Sequence, residues 1–244
     1  MSVLYGDFLE IMANLDSESV DCIITSPPYN KKGLLGSAKT GNQIWQKHSI
    51  DYDTYGDDMP EGNYQDWMVE VLNEMHRLIK PSGSIFFNHK PRRYKNRALL
   101  PTEFISKSNV ELYQLIIWDR TNSPNIRKEI LVPSTEHIYW LCKDKPKVFR
   151  DKVDHKGEVW RIVAQKQEGH PAPFTQEVVR NCMLLSTEKG DKVLDPFSGI
   201  GTTGVVAKKL GREFVGMEIS RLYFDLSEKK INETNRERNL LGFQ

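Results

Sequence analysis

Apolar segments of strand length recur along the whole chain. Most of them are continuously apolar rather than alternating, which is the pattern of strands that are covered on both faces. They are Val3–Tyr5, Val20–Thr25, Ser84–Phe87, Tyr113–Trp118, His137–Cys142, Lys192–Leu194 and Glu213–Met217. We therefore predict a sheet that lies inside the molecule, with other elements packed on both of its faces.

Helical patterns separate several of these strands. Apolar residues recur at three- and four-residue spacing over Trp67–Ile79, and Pro81–Gly83 is predicted to stop that helix. Thr175 and Ser220 are candidate N-caps of two later helices, and a short helix is predicted within Thr202–Gly211. This strand–helix alternation predicts an α/β fold with a doubly wound, mostly parallel sheet.

The chain shows no internal repeat, low-complexity tract or flexible linker, so we predict a single domain over residues 1–244. Three stretches, residues 31–62, 119–134 and 143–170, escape the strand–helix alternation. Loops of this length inside one domain are usually functional. We interpret the three stretches as candidate recognition loops.

The composition is that of a folded protein with almost no net charge. Hydrophobic residues make up 39% and charged residues 27%. The 34 Lys and Arg against 33 Asp and Glu leave a net charge of +1, so attraction to a polyanion must be local.

Three scattered cysteines without a C-x-x-C pair favour a reducing compartment and argue against a structural zinc site. No apolar run reaches membrane-spanning length, and the acidic start is unlike a signal peptide. We expect a cytoplasmic protein without a metal or a membrane partner.

A glycine-rich loop follows the predicted strand at Lys192–Leu194. Its glycines satisfy the pattern G-x-G-x-x-G at Gly199, Gly201 and Gly204, and Glu218 ends the next strand 19 residues after Gly199. Such a carboxylate accepts hydrogen bonds from a ribose diol. The pattern predicts a nucleoside-bearing ligand, or only a tight strand–helix turn, and it leaves a nicotinamide-dependent oxidoreductase open. No G-K-[ST] follows, which argues against a phosphate-binding NTPase loop.

A second loop, Ser26-Pro27-Pro28-Tyr29, ends the strand Val20–Thr25. Two prolines stiffen the loop and remove backbone donors, so the loop offers acceptors, namely the Ser26 hydroxyl and backbone carbonyls, beside an aromatic ring. An acceptor rim with a stacking ring suits a flat base that carries an amino group. That group is inaccessible within a duplex, so the base would have to be flipped out. A proline-terminated core strand is the alternative interpretation.

The two loops together resemble those of the DNA amino-methyltransferases, which move a methyl group from S-adenosylmethionine to an exocyclic base nitrogen. Further stretches with similar sequence are Gly6–Asp7, Leu78–Asn88 and His170–Phe174. The catalytic loop precedes the cofactor loop, as in the permuted subgroup called beta. The resemblance implies a Rossmann-like, circularly permuted methyltransferase fold, in which the first strand completes the sheet beside the strand that ends at Glu218.

The resemblance also implies roles for individual residues. The catalytic loop would comprise Ser26, Pro27, Pro28 and Tyr29. Residues implied to contact the cofactor are Asp7, Pro171, Asp195, Phe197, Ser198, Gly199, Gly201, Thr202, Thr203 and Glu218. Among these, Glu218 would bind the ribose and Asp7 the adenine amino group. Asp7 could equally form a capping box with Glu10.

Serine at the first loop position is associated, in this family, with cytosine N4, whereas Asp or Asn is associated with adenine N6. We therefore expect methylation of cytosine N4 in double-stranded DNA, with adenine N6 as the alternative. A catalytically silent DNA-binding relative, or RNA or protein as acceptor, stays open. Candidate DNA contacts lie in basic stretches and are Lys31, Lys32, Arg92, Arg93, Lys95, Arg127 and Lys128. Sequence specificity would be spread over several loops or completed by a second subunit of a homodimer. A nucleoid-associated location would fit as well.

Overall fold

The computed structural model describes residues 2–30, 59–94, 96–121, 131–163 and 174–240. Six α-helices are found in these ranges: α1 Phe8–Ala13, α2 Glu61–Leu78, α3 Thr102–Ile105, α4 Gln176–Ser186, α5 Thr202–Lys209 and α6 Arg221–Leu240. The strands are β1 Ser2–Tyr5, β2 Val20–Thr25, β3 Ile79–His89, β4 Arg92–Tyr94, β5 Arg97–Leu99, β6 Glu111–Asp119, β7 Thr135–Cys142, β8 Val159–Arg161, β9 Lys192–Asp195 and β10 Glu213–Glu218. A short 3₁₀ helix covers Arg150–Lys152.

Eight of the strands form one sheet in the order β1-β10-β9-β2-β3-β7-β6-β8. The first five are mutually parallel, whereas β7 runs antiparallel to both β3 and β6. The predicted mostly parallel α/β sheet is therefore confirmed. The permuted order is confirmed as well, because Tyr5 of β1 pairs with Glu218 of β10 and the Gly6 amide donates to the Glu218 carbonyl at 3.1 Å.

Helices cover both faces of the central strands β9, β2 and β3, so these apolar strands are buried on two sides, whereas the first half of β6 is exposed. Ile23 and Phe87 face a core built with α1, α2 and α3. Ile24 and Phe86 face the other core, which is built with α4, α5 and α6. Alternate strand residues thus supply two hydrophobic layers, the arrangement expected of a doubly wound fold.

The predicted end of the helix at Ile79 is wrong by one residue, and the predicted stop signal Pro81–Gly83 lies in a strand. Helix α2 ends at Leu78, and Ile79 already pairs with Val20 as the first residue of β3. Pro81–Gly83 lie within β3, at an irregularity between the pairs Val20–Ile79 and Cys22–Ser84. The chain there is extended, and the carbonyls of Pro81 and Ser82 accept hydrogen bonds from the Asp144 and Lys147 amides.

The stretch 143–170 is only partly an excursion from the fold. Its described portion, up to residue 163, adds β8 beside β6 and buries Val153, Trp160 and Ile162 in the core. The described portion therefore contributes to the sheet and the core, and the interpretation of the stretch as a recognition loop stays a prediction. In the stretch 31–62, residues 61 and 62 begin α2, and residues 31–58 lie outside the described ranges, as do 122–130 and 164–173.

Candidate active site

The two predicted loops meet at one edge of the sheet. Strands β2 and β9 are neighbouring and parallel, so both loops leave the sheet at its carboxyl edge. The Thr25 hydroxyl at the end of β2 donates to Asp195 Oδ1 at the end of β9, over a distance of 2.7 Å. Residues 170 positions apart in sequence are joined by this buried bond. The catalytic loop and the cofactor loop therefore form a single site.

Asp195 organises the start of the glycine-rich loop. Its Oδ1 also accepts from the Phe197 amide at 3.1 Å, and its Oδ2 accepts from the Thr203 hydroxyl at 2.7 Å. Burial raises the pKa of Asp195 to about 6, although these hydrogen bonds oppose the shift. Because all of these donors come from the protein, the structure gives the Asp195 side chain a positioning role in the loop.

The glycine-rich loop approaches helix α6 closely. Gly199 and Gly201 have positive φ angles of 51° and 81°, which favour glycine. A Cβ atom on Gly201 would lie 2.9 Å from the Cβ of Ser227 in α6. The loop thus turns tightly into helix α5, which begins at Thr202.

Glu218 faces the same loop from the end of β10. The Gly199 amide donates to its Oε2 at 2.8 Å, and the Ser220 amide donates to its Oε1 at 2.9 Å. Burial raises the pKa of this carboxyl group. Each carboxylate oxygen can accept a further hydrogen bond, so Glu218 can still receive the two hydroxyls of a ribose. The positive-φ glycines and this acidic side chain fit an adenosine-bearing ligand.

Other predicted cofactor residues take varied positions. Asp7 caps helix α1, because its Oδ1 accepts from the Leu9 amide at 2.8 Å. The N-cap half of the predicted capping box is thereby confirmed, since Asp7 Oδ1 also accepts from the Glu10 amide at 3.3 Å, and the second carboxylate oxygen is not needed for it. The Ser198 hydroxyl is buried against Gly216 and has no hydrogen-bond partner among the described residues. The Phe197 ring lies 4.4 Å from the Phe8 ring, between centroids. Pro171 is outside the described residues.

The catalytic loop lies against β3 and α2. Ser26 Oγ and the Tyr29 hydroxyl are 3.0 Å apart, and the Tyr29 and His89 rings are 4.5 Å apart between centroids. The Tyr64 hydroxyl of α2 donates to the Pro28 carbonyl at 2.8 Å and also lies 2.9 Å from His89 Nε2. Burial, together with the negative charge of Glu136, raises the pKa of Tyr29 well above its usual value. The phenol therefore stays protonated and acts as a hydrogen-bonding group.

Several residues around this loop were not predicted from the sequence. Asn88 lies at the end of β3 and Glu136 at the start of β7, and both contact the Tyr29 hydroxyl. Arg120 forms an ion pair with Glu136. The available signal was a polar residue directly beside an apolar strand segment, as at Asn88 after Ser84–Phe87 and at Glu136 before His137–Cys142. The pairing of β3 with β7, which brings them together, is not visible in the sequence.

Two of the predicted DNA contacts lie within the described residues, and they differ in exposure and in their partners. Arg93 is exposed on β4. Arg92 is 7% exposed, and its guanidinium binds both carboxylate oxygens of Glu61 at 2.7 and 2.6 Å. The structure thus gives Arg92 an internal partner instead of a position facing DNA. The remaining predicted contacts lie outside the described residues and are Lys31, Lys32, Lys95, Arg127 and Lys128.

The described ranges contain no group of three or more His, Cys, Asp or Glu residues arranged to hold a metal ion. In the same ranges, no helix is both long and apolar enough to cross a membrane.

The three cysteines are buried, and burial raises the pKa of the Cys22 thiol to about 12. Such a thiol is a poor nucleophile at neutral pH. The described residues at this edge of the sheet therefore offer hydrogen-bond acceptors, aromatic rings and a glycine-rich loop.

Comparison with known proteins agrees with this geometry. The type II methyltransferase M.SmaI of Serratia marcescens is 30% identical to the chain, over 94% of this chain and 90% of the relative. The DNA adenine methyltransferase YhdJ of Escherichia coli is 26% identical, over 95% of this chain and 82% of the relative.

Solved structures share the fold. The PvuII cytosine-N4-specific DNA methyltransferase matches with a TM-score of 0.74 at 21% identity, over 99% of this chain and 93% of the other. The M1.HpyAVI–SAM complex matches with a TM-score of 0.64 at 22% identity, over 94% and 98% of the two chains. The family model for N6/N4 methyltransferases, described as DNA methylase, matches residues 20–229. The chain therefore belongs to the N6/N4 DNA methylase family and is a DNA methyltransferase whose methyl donor is S-adenosylmethionine.

Proposed function

We propose that this enzyme methylates the exocyclic N4 of a cytosine that is flipped out of double-stranded DNA. The observation that carries the proposal is the uncharged Ser26 hydroxyl, which begins the catalytic loop and lies 3.0 Å from the Tyr29 hydroxyl. The Thr25–Asp195 hydrogen bond of 2.7 Å holds this loop beside the glycine-rich loop. A base amino group at Ser26 would then lie next to the cofactor.

The chemistry of the amino group explains why acceptors are needed. Its lone pair is delocalised into the ring, so the nitrogen is a poor nucleophile. Hydrogen bonds accepted from its two N–H groups fix the nitrogen in a geometry that localises the lone pair toward the methyl group. Ser26 Oγ and a backbone carbonyl of the rigid Pro27–Pro28 turn are suited to accept them. Methyl transfer leaves a positive charge on the nitrogen until one of its protons is lost.

Access to the amino group requires the base to leave the helix. Unstacking a base costs a few kcal/mol, and contacts in the pocket offset this cost. The half-buried ring of Tyr29 can stack on the flipped base, with His89 supporting it at a centroid distance of 4.5 Å. Tyr29 would therefore both hold the base and complete the hydrogen-bond network of Ser26.

We assign the cofactor contacts to the glycine-rich loop and its neighbours. S-adenosylmethionine, when bound, supplies a methyl group on a positively charged sulfur. Glu218 would accept from the ribose hydroxyls, and Asp7 from the adenine amino group. Phe197 would offer its ring near the sulfonium, and the residues Gly199 to Thr203 would contribute mainly backbone. These side chains lie at the carboxyl ends of parallel strands, or directly after them, where ligands of doubly wound folds bind.

The choice of cytosine over adenine rests on the serine at the first position of the catalytic loop, which in this family is associated with cytosine N4. Serine accepts an N–H bond without bringing a negative charge, whereas an aspartate in its place would also stabilise the methylated cation of adenine electrostatically. Adenine N6 is the second candidate, because its amino group has similar geometry and one relative is named for adenine.

The base is identified by analysis of the product. Mixed-sequence duplex DNA is incubated with the enzyme and S-adenosylmethionine, digested to nucleosides and examined by mass spectrometry. We expect N4-methyldeoxycytidine to accumulate with time. Accumulation of N6-methyldeoxyadenosine alone would contradict the assignment to cytosine.

The Ser26→Ala variant tests whether the serine acts on the base. We expect kcat to fall about 100-fold, as for loss of one hydrogen-bonding group that stabilises a transition state, with nearly unchanged affinity for S-adenosylmethionine. Ser17→Ala is the matched control, since Ser17 is exposed and precedes the amino end of β2, at the opposite edge of the sheet. Equal losses of kcat and cofactor affinity in Ser26→Ala would contradict the proposed role.

A further inference from the structure

A buried polar cluster lies behind the catalytic loop, and it consists of Asn88, Glu136 and Arg120. Asn88 and Glu136 are 1% and 5% exposed. Asn88 pairs with Ile138 across β3 and β7, so Glu136, two residues earlier on the same face of β7, is its diagonal neighbour. Asn88 Nδ2 donates to Glu136 Oε2 at 3.0 Å and to the Tyr29 hydroxyl at 3.0 Å.

The two carboxylate oxygens of Glu136 have different hydrogen-bond partners. Oε1 binds Arg120 Nη1 at 2.5 Å, and Oε2 lies 3.0 Å from Asn88 Nδ2 and 3.5 Å from the Tyr29 hydroxyl. The cation is thus placed on one side of the carboxylate and the catalytic loop on the other. The ion pair therefore presents its negative end to the loop, and Arg120 prevents Glu136 from turning away.

Glu136 also fixes the orientation of the Asn88 amide. If the amide were turned over, its oxygen would lie about 3 Å from the carboxylate oxygen, and the two acceptors would repel each other. The NH₂ group must therefore face Glu136 and Tyr29, and it also reaches Ser26 Oγ at 3.4 Å. Asn88 Oδ1, in contrast, is buried without a hydrogen-bond partner among the described residues.

The remaining question is which hydroxyl donates in the 3.0 Å contact between Ser26 and Tyr29. A serine oxygen has one proton and two lone pairs. If Tyr29 donated to Ser26, it would engage one lone pair of Ser26. The other lone pair would be shared with the Asn88 amide, whose second proton is divided between Tyr29 at 3.0 Å and Ser26 at 3.4 Å, so Ser26 would be a poor acceptor for a base. If Ser26 donates to Tyr29, one lone pair stays available.

We propose that Glu136 is a positioning residue that sets this direction. Two acceptors besides Ser26 contact the Tyr29 hydroxyl, namely the Asn88 carbonyl at 3.4 Å and Glu136 Oε2 at 3.5 Å. The negative charge of Glu136 makes it the stronger of the two, so Tyr29 donates toward Glu136 and accepts from Ser26. Ser26 then keeps a lone pair for one N–H of the base amino group. A carboxylate on the other side of Tyr29 thus makes Ser26 an acceptor. This inference rests on the proposed role of Ser26 in binding an amino group.

The direct test is Glu136→Gln, which keeps the shape of the side chain and removes the charge. A glutamine can donate to the Tyr29 hydroxyl, so the Tyr29 proton turns away from position 136 and is divided between Ser26 at 3.0 Å and the Asn88 carbonyl at 3.4 Å. We expect kcat to fall about 10- to 100-fold. The dissociation constant of S-adenosylmethionine should stay within about twofold of the wild-type value, since Glu136 hydrogen-bonds to none of the glycine-loop residues. Glu188→Gln is the control, because Glu188 pairs with Lys152 on the surface.

A second variant separates positioning from a structural role. The double variant Asn88→Asp/Glu136→Gln removes the carboxylate at position 136 and introduces one at position 88. One oxygen of the introduced carboxylate takes the place of Asn88 Nδ2, which lies 3.0 Å from the Tyr29 hydroxyl in the wild type. The negative charge again attracts the Tyr29 proton, and the introduced glutamine can donate to the introduced carboxylate in place of the native Asn88–Glu136 bond. We expect the double variant to regain at least about fivefold in kcat over Glu136→Gln.

Three outcomes decide the matter. A kcat of Glu136→Gln within about threefold of wild type overturns the proposal, and so does a loss of kcat that the double variant fails to recover. A selective loss of kcat with recovery in the double variant supports it. N6-methyldeoxyadenosine as the wild-type product would overturn the assignment to cytosine but leave this test intact, because the comparison of kcat values does not depend on the base.

Discussion

Asp195 combines burial, negative charge and three protein donors at the end of β9. It is 4% exposed, and the Thr25 and Thr203 hydroxyls and the Phe197 amide donate to it. Burial nevertheless dominates, because the pKa rises from 3.8 to about 6. An ionised side chain that holds two loops of the active site together therefore costs stability at neutral pH.

The raised pKa predicts how stability changes with pH. Protonated Asp195 is favoured in the folded state, so its contribution to the free energy of unfolding is fully present below about pH 4 and is lost as the pH rises to about 6. The loss amounts to about 3 kcal/mol. Asp195→Asn cannot ionise, so its free energy of unfolding relative to wild type should increase between about pH 4 and 7. Urea unfolding of both proteins across this range measures the difference, and a difference that does not vary with pH would contradict the prediction.

At the scale of elements, the β4–β5 hairpin is attached to helix α2 by one ion pair. The side chains of Arg92 and Glu61 are 4% and 20% exposed, and the Arg92 guanidinium lies 4.4 Å from the centroid of the Tyr64 ring. Tyr64 in turn bonds to Pro28 of the catalytic loop. The hairpin, the helix and the catalytic loop are therefore linked through two side chains of α2.

Removal of one partner of this buried ion pair should lower the free energy of unfolding far more than removal of one partner of an exposed ion pair. Glu61→Gln leaves a buried guanidinium without a carboxylate, and we expect the free energy of unfolding to fall by about 3 kcal/mol. Arg97 and Glu103 form the matched surface pair, with side chains 71% and 27% exposed. Arg97→Gln should cost less than about 1 kcal/mol. Similar small losses from both substitutions in chemical unfolding would show that the hairpin is attached by other contacts.

The sequence predicts the elements of this fold unevenly. The seven predicted strands were recognisable because most of them are continuous apolar segments in the part of the sheet that is buried on both faces. Strand β6 is the exception, since Leu112, Tyr113 and Leu115 are exposed. The strands Arg92–Tyr94, Arg97–Leu99 and Val159–Arg161 were missed because each contains at least one arginine and none forms a continuous apolar segment. The end of helix α2 was misjudged because Ile79 continues the apolar spacing of the helix, while its backbone pairs with Val20.

The active site was predicted only where its residues follow each other in sequence. Ser26–Tyr29 and the glycine-rich loop are local motifs, and their meeting at one edge follows from parallel strands. Glu136 comes to the site from an antiparallel strand, and Arg120 from the end of β6, so neither has a local signal. Arg92 was predicted as a DNA contact because it lies in a basic stretch after β3. The sequence alone could not show that Arg92 forms an ion pair with Glu61.

At the scale of the whole molecule, the net charge of +1 requires DNA attraction to come from a small set of cations. Arg93 is exposed on β4, a few residues past the end of the strand that carries Asn88 and His89. Lys147 is also exposed, but its amide bonds to Ser82 near the amino end of β3, at the opposite edge of the sheet. The two cations have equal charge and differ in their distance from the active edge.

This difference predicts unequal effects on the salt dependence of DNA binding. A cation that neutralises one phosphate contributes about 0.9 to the slope of log K against log salt concentration. Arg93→Gln should therefore lower the magnitude of the slope by about 0.9 and weaken binding about equally for unrelated sequences, since phosphate contacts do not read bases. Lys147→Gln should leave the slope unchanged. Fluorescence anisotropy with a labelled duplex over a series of salt concentrations gives both slopes. Equal slopes for Arg93→Gln and wild type would place the DNA away from the β4–β5 hairpin, whereas equal reductions in the two variants would point to attraction by overall charge rather than to contact at this edge.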